Sequence, residues 1–363
     1  MKSAGKRVGL ALGGGGIRGI SHIGVLKVLE REAIDIDLIV GTSAGALIGG
    51  AYASGQSPRE VQAKVEAYLR SPEFDSTAIK SIGLTVSPEQ KGRFRKVQSF
   101  VMNRYYMIRS FFRPSVLPPG DFHSLISYFL PEMDIRQTRI PFLVVTTDLI
   151  TGRQIVFSEG PLRTAVLASC AVPGAVEPVR LGEWLLADGG ITSLIPVHVA
   201  REAGADVVIA VMVDRDLPSS GGMGTAQDIF YRAGEITANK LEAVELENAD
   251  VIIRPEVGEL HWMDFSRAGD LIRAGEEATR KVMGKIYASL PLNRRISHFA
   301  GRFLTMGKRV KRSFLRAASV LVNTPTDIPP KSPPQDNMDN PDPSANGDEP
   351  VSRTPRTGIS SGS

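Results

Sequence analysis

The 363 residues, 42% hydrophobic and 23% charged, match an ordinary globular protein and are ample for a large buried core. A single cysteine, Cys170, excludes a disulfide within the chain, and no run nears the roughly 18 apolar residues that span a bilayer. The net charge of +4 is a local matter: residues 291–323 hold eight Lys or Arg and no acid, so the high pI says nothing about the body of the chain.

The first residues, MKSAGKRVGLALGGGG, lack the apolar length of a signal-peptide core, so a cytoplasmic location is expected. They read instead as a strand, Arg7–Leu12, running into glycines. An apolar helix is predicted from Ile17 to Glu32, then a strand over Asp37–Val40 and a small-residue helix over Ala44–Ser54. Strand, helix and strand make a right-handed βαβ unit with parallel strands. Ser57, with Glu60 three residues on, marks a capping box that opens the next helix.

Residues 71–120 mix Phe and Tyr with Arg and Lys. The mixture suits a nucleic-acid surface or a helical insertion over a lipid cleft; the second is preferred, and no nucleic-acid partner is expected. Strands are predicted at Ile140–Thr146, Arg153–Phe157, Glu183–Ala187, Asp206–Val213 and Asp250–Arg254. Helices are predicted at Pro161–Ser169, Pro196–Ala203, Ala226–Asn248 and Asp264–Leu290. This alternation argues for an α/β fold in three layers, a mainly parallel central sheet covered on both faces. From Ile296 to Leu321 apolar residues recur at helical spacing among the basic ones, and nine prolines after Asn323 mark a disordered tail. The expected organisation is a domain over 6–290, a basic amphipathic helix over 291–323 and a tail over 324–363. Residues 294–322 suit peripheral docking on anionic lipid at the inner face of a membrane, or a partner protein, or packing on the domain.

Three glycine-rich stretches carry the chemistry. Gly41-Thr42-Ser43-Ala44-Gly45 fits G-x-S-x-G between strand and helix, a sharp turn that exposes a serine hydroxyl at the carboxyl end of the sheet. Gly13-Gly14-Gly15-Gly16-Ile17-Arg18-Gly19 leaves the neighbouring strand, and its bare N–H groups can cradle an anion. It also fits G-x-G-x-x-G, but the second strand ends in GTSAG, with Asp35 and Asp37 at the wrong end for a ribose. Asp188-Gly189-Gly190 follows an apolar stretch; alone, it reads as an aspartate capping its own turn.

Together GGGGIRG, GTSAG and LADGG resemble the patatin-like phospholipase family, in its bacterial and neuropathy target esterase branch. The stretches Ala168–Val179 and Asp188–Ala200 add to the likeness, which runs from about Lys6 to Leu290. The resemblance implies a patatin-like fold and a Ser–Asp dyad, with Ser43 as nucleophile and Asp188 as base. It implies an oxyanion hole from the amides of Gly14, Gly15 and Gly16, with Arg18, Gly41, Gly45, Gly189 and Gly190 in support. The implied reaction is hydrolysis of fatty-acyl esters of phospholipids or lysophospholipids, a lipid substrate; no cofactor is expected, and no metal either, since no Cys/His/Asp cluster has metal-ligand spacing.

An ordinary aspartate, with a pKa near ~4, is a poor base, so burial should raise the proton affinity of Asp188. A triad through His198 is the rival arrangement; His22, His123, His261 and His298 read as structural, and Cys170 as a packed small residue. The alternative functions are an acyltransferase or thioesterase on the same dyad, a nucleotide-binding module, and a non-catalytic binding protein.

Overall fold

The structure is a computed structural model that describes residues 6–77, 115, 117–213, 224–258 and 265–291. The Arg/aromatic stretch, for the most part, the basic segment 294–322 and the tail after 323 lie outside the described residues. Strand β1 (Val8–Leu12) leads through a glycine loop and a 3-10 turn into α1 (Ser21–Arg31). β2 (Leu38–Thr42) is followed by α2 (Ala44–Ala53), α3 (Pro58–Tyr68), the short α4 (Pro72–Asp75) and α5 (Pro119–Phe129). Then come β3 (Phe142–Asp148), β4 (Gln154–Phe157), α6 (Leu162–Ser169), β5 (Val179–Leu181) and β6 (Trp184–Asp188). The described part closes with α7 (Val197–Glu202), β7 (Val207–Val211), α8 (Ala226–Leu246), β8 (Val251–Ile253) and α9 (Ala268–Ser289).

These strands form one sheet in the order β5-β6-β3-β2-β1-β7-β8, with β4 also on β3. Pairing is parallel from β3 through β2, β1 and β7 to β8, and antiparallel around β4, β5 and β6. Strand periodicity sorts the core into two layers, because alternate side chains leave opposite faces. Val8, Leu10 and Leu12 of β1 join Val207, Ile209 and Val211 of β7 under α1, α3 and α9. Ala11, Val40, Val208 and Ala210 face the other way, onto α7 and the end of α8. Three layers result, as the alternation of elements predicts.

The register on β3 sets the site. Thr146 pairs with both Ile155 of β4 and Asp188 of β6, so those strands lie on opposite edges of β3. Val144 likewise pairs with Gly41 of β2 and Phe157 of β4. β2 and β6 therefore share one edge. Thr42 pairs with Val145 and Asp188 with the next residue, Thr146, while the two strands run in opposite directions. Their carboxyl ends abut, which brings Ser43 and Asp188 together.

The predicted capping box forms: Glu60 N–H donates to Ser57 Oγ at 3.2 Å, and Ser57 N–H donates to the Glu60 carboxylate at 2.7 Å. Helices α1 and α9 cross through two glycines. A Cβ on Gly24 would strike the Ile272 carbonyl, and one on Gly275 would strike the Ser21 carbonyl. No pattern in the sequence distinguishes those two glycines from the others.

Candidate active site

Ser43 stands between β2 and α2 with φ 53° and ψ −121°, a conformation a side-chain-bearing residue adopts at a cost of roughly 1–3 kcal/mol. The turn closes because its glycines leave room: a Cβ at Gly45 would strike the Leu12 carbonyl, and one at Gly41 would lie 2.6 Å from Ala46 Cα. Polar contacts from α6 and its end hold both peptide groups of the serine. Ser43 N–H donates to Ser169 Oγ at 2.8 Å, and that hydroxyl donates to the Val145 carbonyl at 2.6 Å. Cys170 Sγ donates to the Ser43 carbonyl at 3.2 Å, beside the helical bond from Leu47 N–H at 3.1 Å. Burial pushes the Cys170 thiol pKa up, with the Asp188 charge adding to it, so the thiol stays protonated.

Ser169 and Cys170 were not expected to touch the nucleophile. Their signal was the stretch ASCAVPG, which spacing alone could not connect to a residue 126 positions away. Ser169→Ala leaves two buried backbone groups unpaired, each worth about 1–3 kcal/mol. Urea unfolding should show a loss in that range or above, and turnover should fall as the strained turn relaxes.

Asp188 ends β6 and caps the 3-10 turn Gly189–Ile191, its Oδ1 accepting from Gly190 N–H at 2.7 Å. The aspartate thus caps its own turn, as DGG alone reads. The Ser43 hydroxyl favours its charged form, and both residues line one cleft. Burial dominates its titration and raises the pKa from 3.8 to about 6, against the lowering effect of the Ser43 hydroxyl and the Gly190 N–H.

The glycine loop sits across from this pair. Gly15 (φ 146°) and Gly16 (φ 60°) take backbone conformations open to glycine. Among the described residues, no main-chain bond outside the helices takes up their amides, and both residues line the cleft that holds Ser43 and Asp188. Gly14 departs from expectation. Its N–H donates to the Leu194 carbonyl at 3.0 Å, so of the three loop amides expected to face an anion this one is engaged within the protein. Arg18, 8% exposed, turns back so that its Nε donates to the Gly15 carbonyl at 3.2 Å. That bond fixes the Gly15–Gly16 peptide plane, with the Gly16 N–H on the side opposite the arginine.

His22 fastens the same loop from below. Its Nε2–H donates to the Gly13 carbonyl at 2.8 Å, and its buried Nδ1 has no partner among the described residues. Burial lowers its pKa from 6.5 to about 4, with the bond to Gly13 acting the other way. His198 does not reach the serine: Nε2 lies 3.2 Å from Gln154 Oε1 and Nδ1 lies 3.6 Å from the Glu245 carboxylate. Glu245, from α8, holds the segment after Asp188 through Ser193 Oγ and through Ile195 N–H at 2.9 Å. Among the described residues, no group of His, Cys, Asp and Glu is placed to hold a metal ion. No described helix is long and apolar enough to cross a membrane.

Asp188 and His22 oppose each other in acid. Between pH 6 and pH 4 folded Asp188 holds a proton that the unfolded chain releases, so lowering the pH adds stability. Over the same span His22 stays neutral in the fold while the unfolded chain protonates, so lowering the pH removes stability. Each contribution is about 3 kcal/mol, and they nearly cancel. In Asp188→Asn the aspartate's opposing contribution is gone while that of His22 remains, and urea midpoints should fall more steeply from pH 6.5 to 4 than in the wild type.

Residues 10–201 match the family model described as patatin-like phospholipase. The chain belongs to the patatin-like phospholipase family. An uncharacterized NTE family protein of Mycobacterium tuberculosis is 28% identical over 77% of this chain and 47% of its own length. The mouse patatin-like phospholipase domain-containing protein 6 is 27% identical over 77% of this chain and 21% of its own. The chain thus spans about half of the mycobacterial relative and about a fifth of the mouse one. The crystal structure of VipD from Legionella pneumophila superposes with a TM-score of 0.40 at 14% identity, covering 78% of this chain and 67% of that one. The patatin-like match spans the glycine loop, the Ser43 turn and Asp188 together.

Proposed function

We propose that this patatin-like protein is a serine acyl hydrolase that cleaves fatty-acyl esters of phospholipids or lysophospholipids through Ser43 and Asp188. The observation that carries the reading is a single cleft lined by Ser43, the buried Asp188 carboxylate of raised pKa, and the glycines Gly15 and Gly16. With a pKa of about 6, Asp188 is largely ionised at neutral pH and is a stronger base than a solvated aspartate.

In the first step Ser43 Oγ bonds to the ester carbon while its proton passes to Asp188. The carbonyl oxygen takes up negative charge within reach of the Gly15 and Gly16 amides, at the positive end of α2. As the carbon–oxygen bond to the alcohol breaks, the proton on Asp188 goes to the departing oxygen. Water then repeats the sequence on the acyl-enzyme and frees the fatty acid. The basic segment 294–322 would hold the enzyme at an anionic lipid surface, each Lys or Arg near it contributing about 1 kcal/mol.

The test incubates the chain with a mixed panel of phospholipids, lysophospholipids and acylglycerols and identifies products by mass. Free fatty acid released by the wild type and not by Ser43→Ala is the expected result. Acyl groups passed to an added alcohol in preference to water would make it a transferase. No product, with no labelling of Ser43 by a fluorophosphonate, would leave a binding protein. The rate should rise with pH through a midpoint near 6, as Asp188 loses its proton.

A further inference from the structure

Two separate cavities meet at Ser43, and they differ in character. One is a narrow chamber of about 130 Å³, lined by Leu47, Ile48, Val65, Leu125, Phe129 and Phe265 among others. These side chains come from α2, α3, α5 and the segment before α9, and Ser43 is among the few polar residues at the wall. The other is a wider cleft of about 550 Å³ that holds Asp188 and Arg18 and is walled on its far side by α8 through Phe230, Glu235 and Ala238. Gly16, Ser43 and Val172 line both, so the nucleophile stands where one space opens into the other.

Proton bookkeeping decides which half of an ester goes where. The proton that Asp188 takes from Ser43 must be handed to the departing alcohol oxygen, so that oxygen has to lie on the Asp188 side. Asp188 lines the wide cleft and not the narrow chamber. We infer that the acyl chain of the substrate enters the α2/α3/α5 chamber while the alcohol or headgroup half lies in the cleft against α8. This assignment rests on the ester-hydrolase reading above and adds which wall meets which part of the substrate. The chemistry of the walls agrees in degree: the chamber is almost wholly apolar and suits a hydrocarbon chain, whereas the cleft, apolar over much of its wall, adds Arg18, Asp188 and Glu235 for a polar headgroup.

The consequence reaches the kinetics. After the alcohol has left, the acyl-enzyme keeps only the chain in the chamber. Filling the chamber therefore changes both acylation and the release of the fatty acid, whereas the size of the alcohol half in the cleft bears on acylation alone.

The decisive test uses the wild-type chain and a fluorophosphonate whose decyl chain ends in a photoreactive diazirine. Ser43 Oγ forms a bond to phosphorus, fluoride leaves, and the decyl chain occupies the acyl position. On illumination the cross-links should fall on peptides containing Leu47, Val65 or Phe129. Cross-links on α8, at Phe230 or Ala238, would overturn the assignment. Absence of any adduct on Ser43 would instead sink the hydrolase reading.

A pair of substitutions gives an independent measure. Leu47→Trp should lower the ratio of kcat/KM for decanoyl over acetyl esters of one alcohol by roughly tenfold or more. Ala238→Trp should leave that ratio within about twofold and alter the preference between a small and a bulky alcohol. The reverse pattern, or no change in either ratio, would overturn the assignment.

Discussion

Ser43→Ala and Asp188→Asn should each lower ester hydrolysis by about 10⁴-fold or more, and the double substitution by no more than the worse single one. In the proposed reaction the serine supplies the bond-forming oxygen, and the aspartate takes its proton with no histidine between them. His198 is engaged with Gln154 and Glu245, so it offers no substitute base. Neither residue acts without the other, and their losses do not add. Asp188→Asn keeps an oxygen for the Gly190 N–H and removes a buried charge, so at neutral pH it should be at least as stable as the wild type. An inactive, well-folded variant separates chemistry from stability. Residual turnover in Asp188→Asn within tenfold of the wild type would end the dyad.

The second large effect concerns the crossing of α1 and α9. In an exposed helix Gly→Ala gains about 1 kcal/mol. At Gly24 the new methyl meets the carbonyl of Ile272 and lies 2.7 Å from the Glu276 amide nitrogen, so the helices must part. Gly275 makes the reciprocal contact, with its Cβ position against the Ser21 carbonyl and 3.2 Å from the Val25 nitrogen. Gly24→Ala should lose about 1–3 kcal/mol, and Gly24→Val about 4 kcal/mol or more, by urea unfolding. The loss should spread to turnover. α1 carries His22, whose ring holds the Gly13 carbonyl, and it opens directly from the turn that bears Arg18. A Gly24→Ala protein more stable than the wild type would show that the helices can separate without strain.

The sheet and its helices were legible because they follow local periodicity. The apolar run of β1, the small-residue helix α2 and the Ser57–Glu60 cap all depend on neighbours within a few positions. Strand β5 and helix α5 escaped, the first for its three residues and the second because it opens on two prolines inside the Arg/aromatic stretch. The motifs pointed to Ser43 and Asp188, yet the residues that brace them stayed hidden. Ser169, Cys170 and Glu245 act through one or two bonds to residues far along the chain, and His22 through one to Gly13, and one sequence carries no periodicity for contacts of that kind. The engagement of Gly14 with Leu194 was hidden for the same reason, since it depends on where the segment after Asp188 returns.

Neither Ser43 nor Asp188 belongs to β3, yet β3 spaces them, because Val145 and Thr146 hold the ends of the two strands that carry them. One residue inserted between those positions would shift one strand end by about 3.3 Å and turn its side chains to the opposite face. Helices α3 and α5, whose side chains line the narrow chamber, pair with neither strand end. Side chains on those helices can be exchanged while the reacting groups stay in register, which makes their chamber-facing positions the natural place to graft a new substrate preference onto this scaffold.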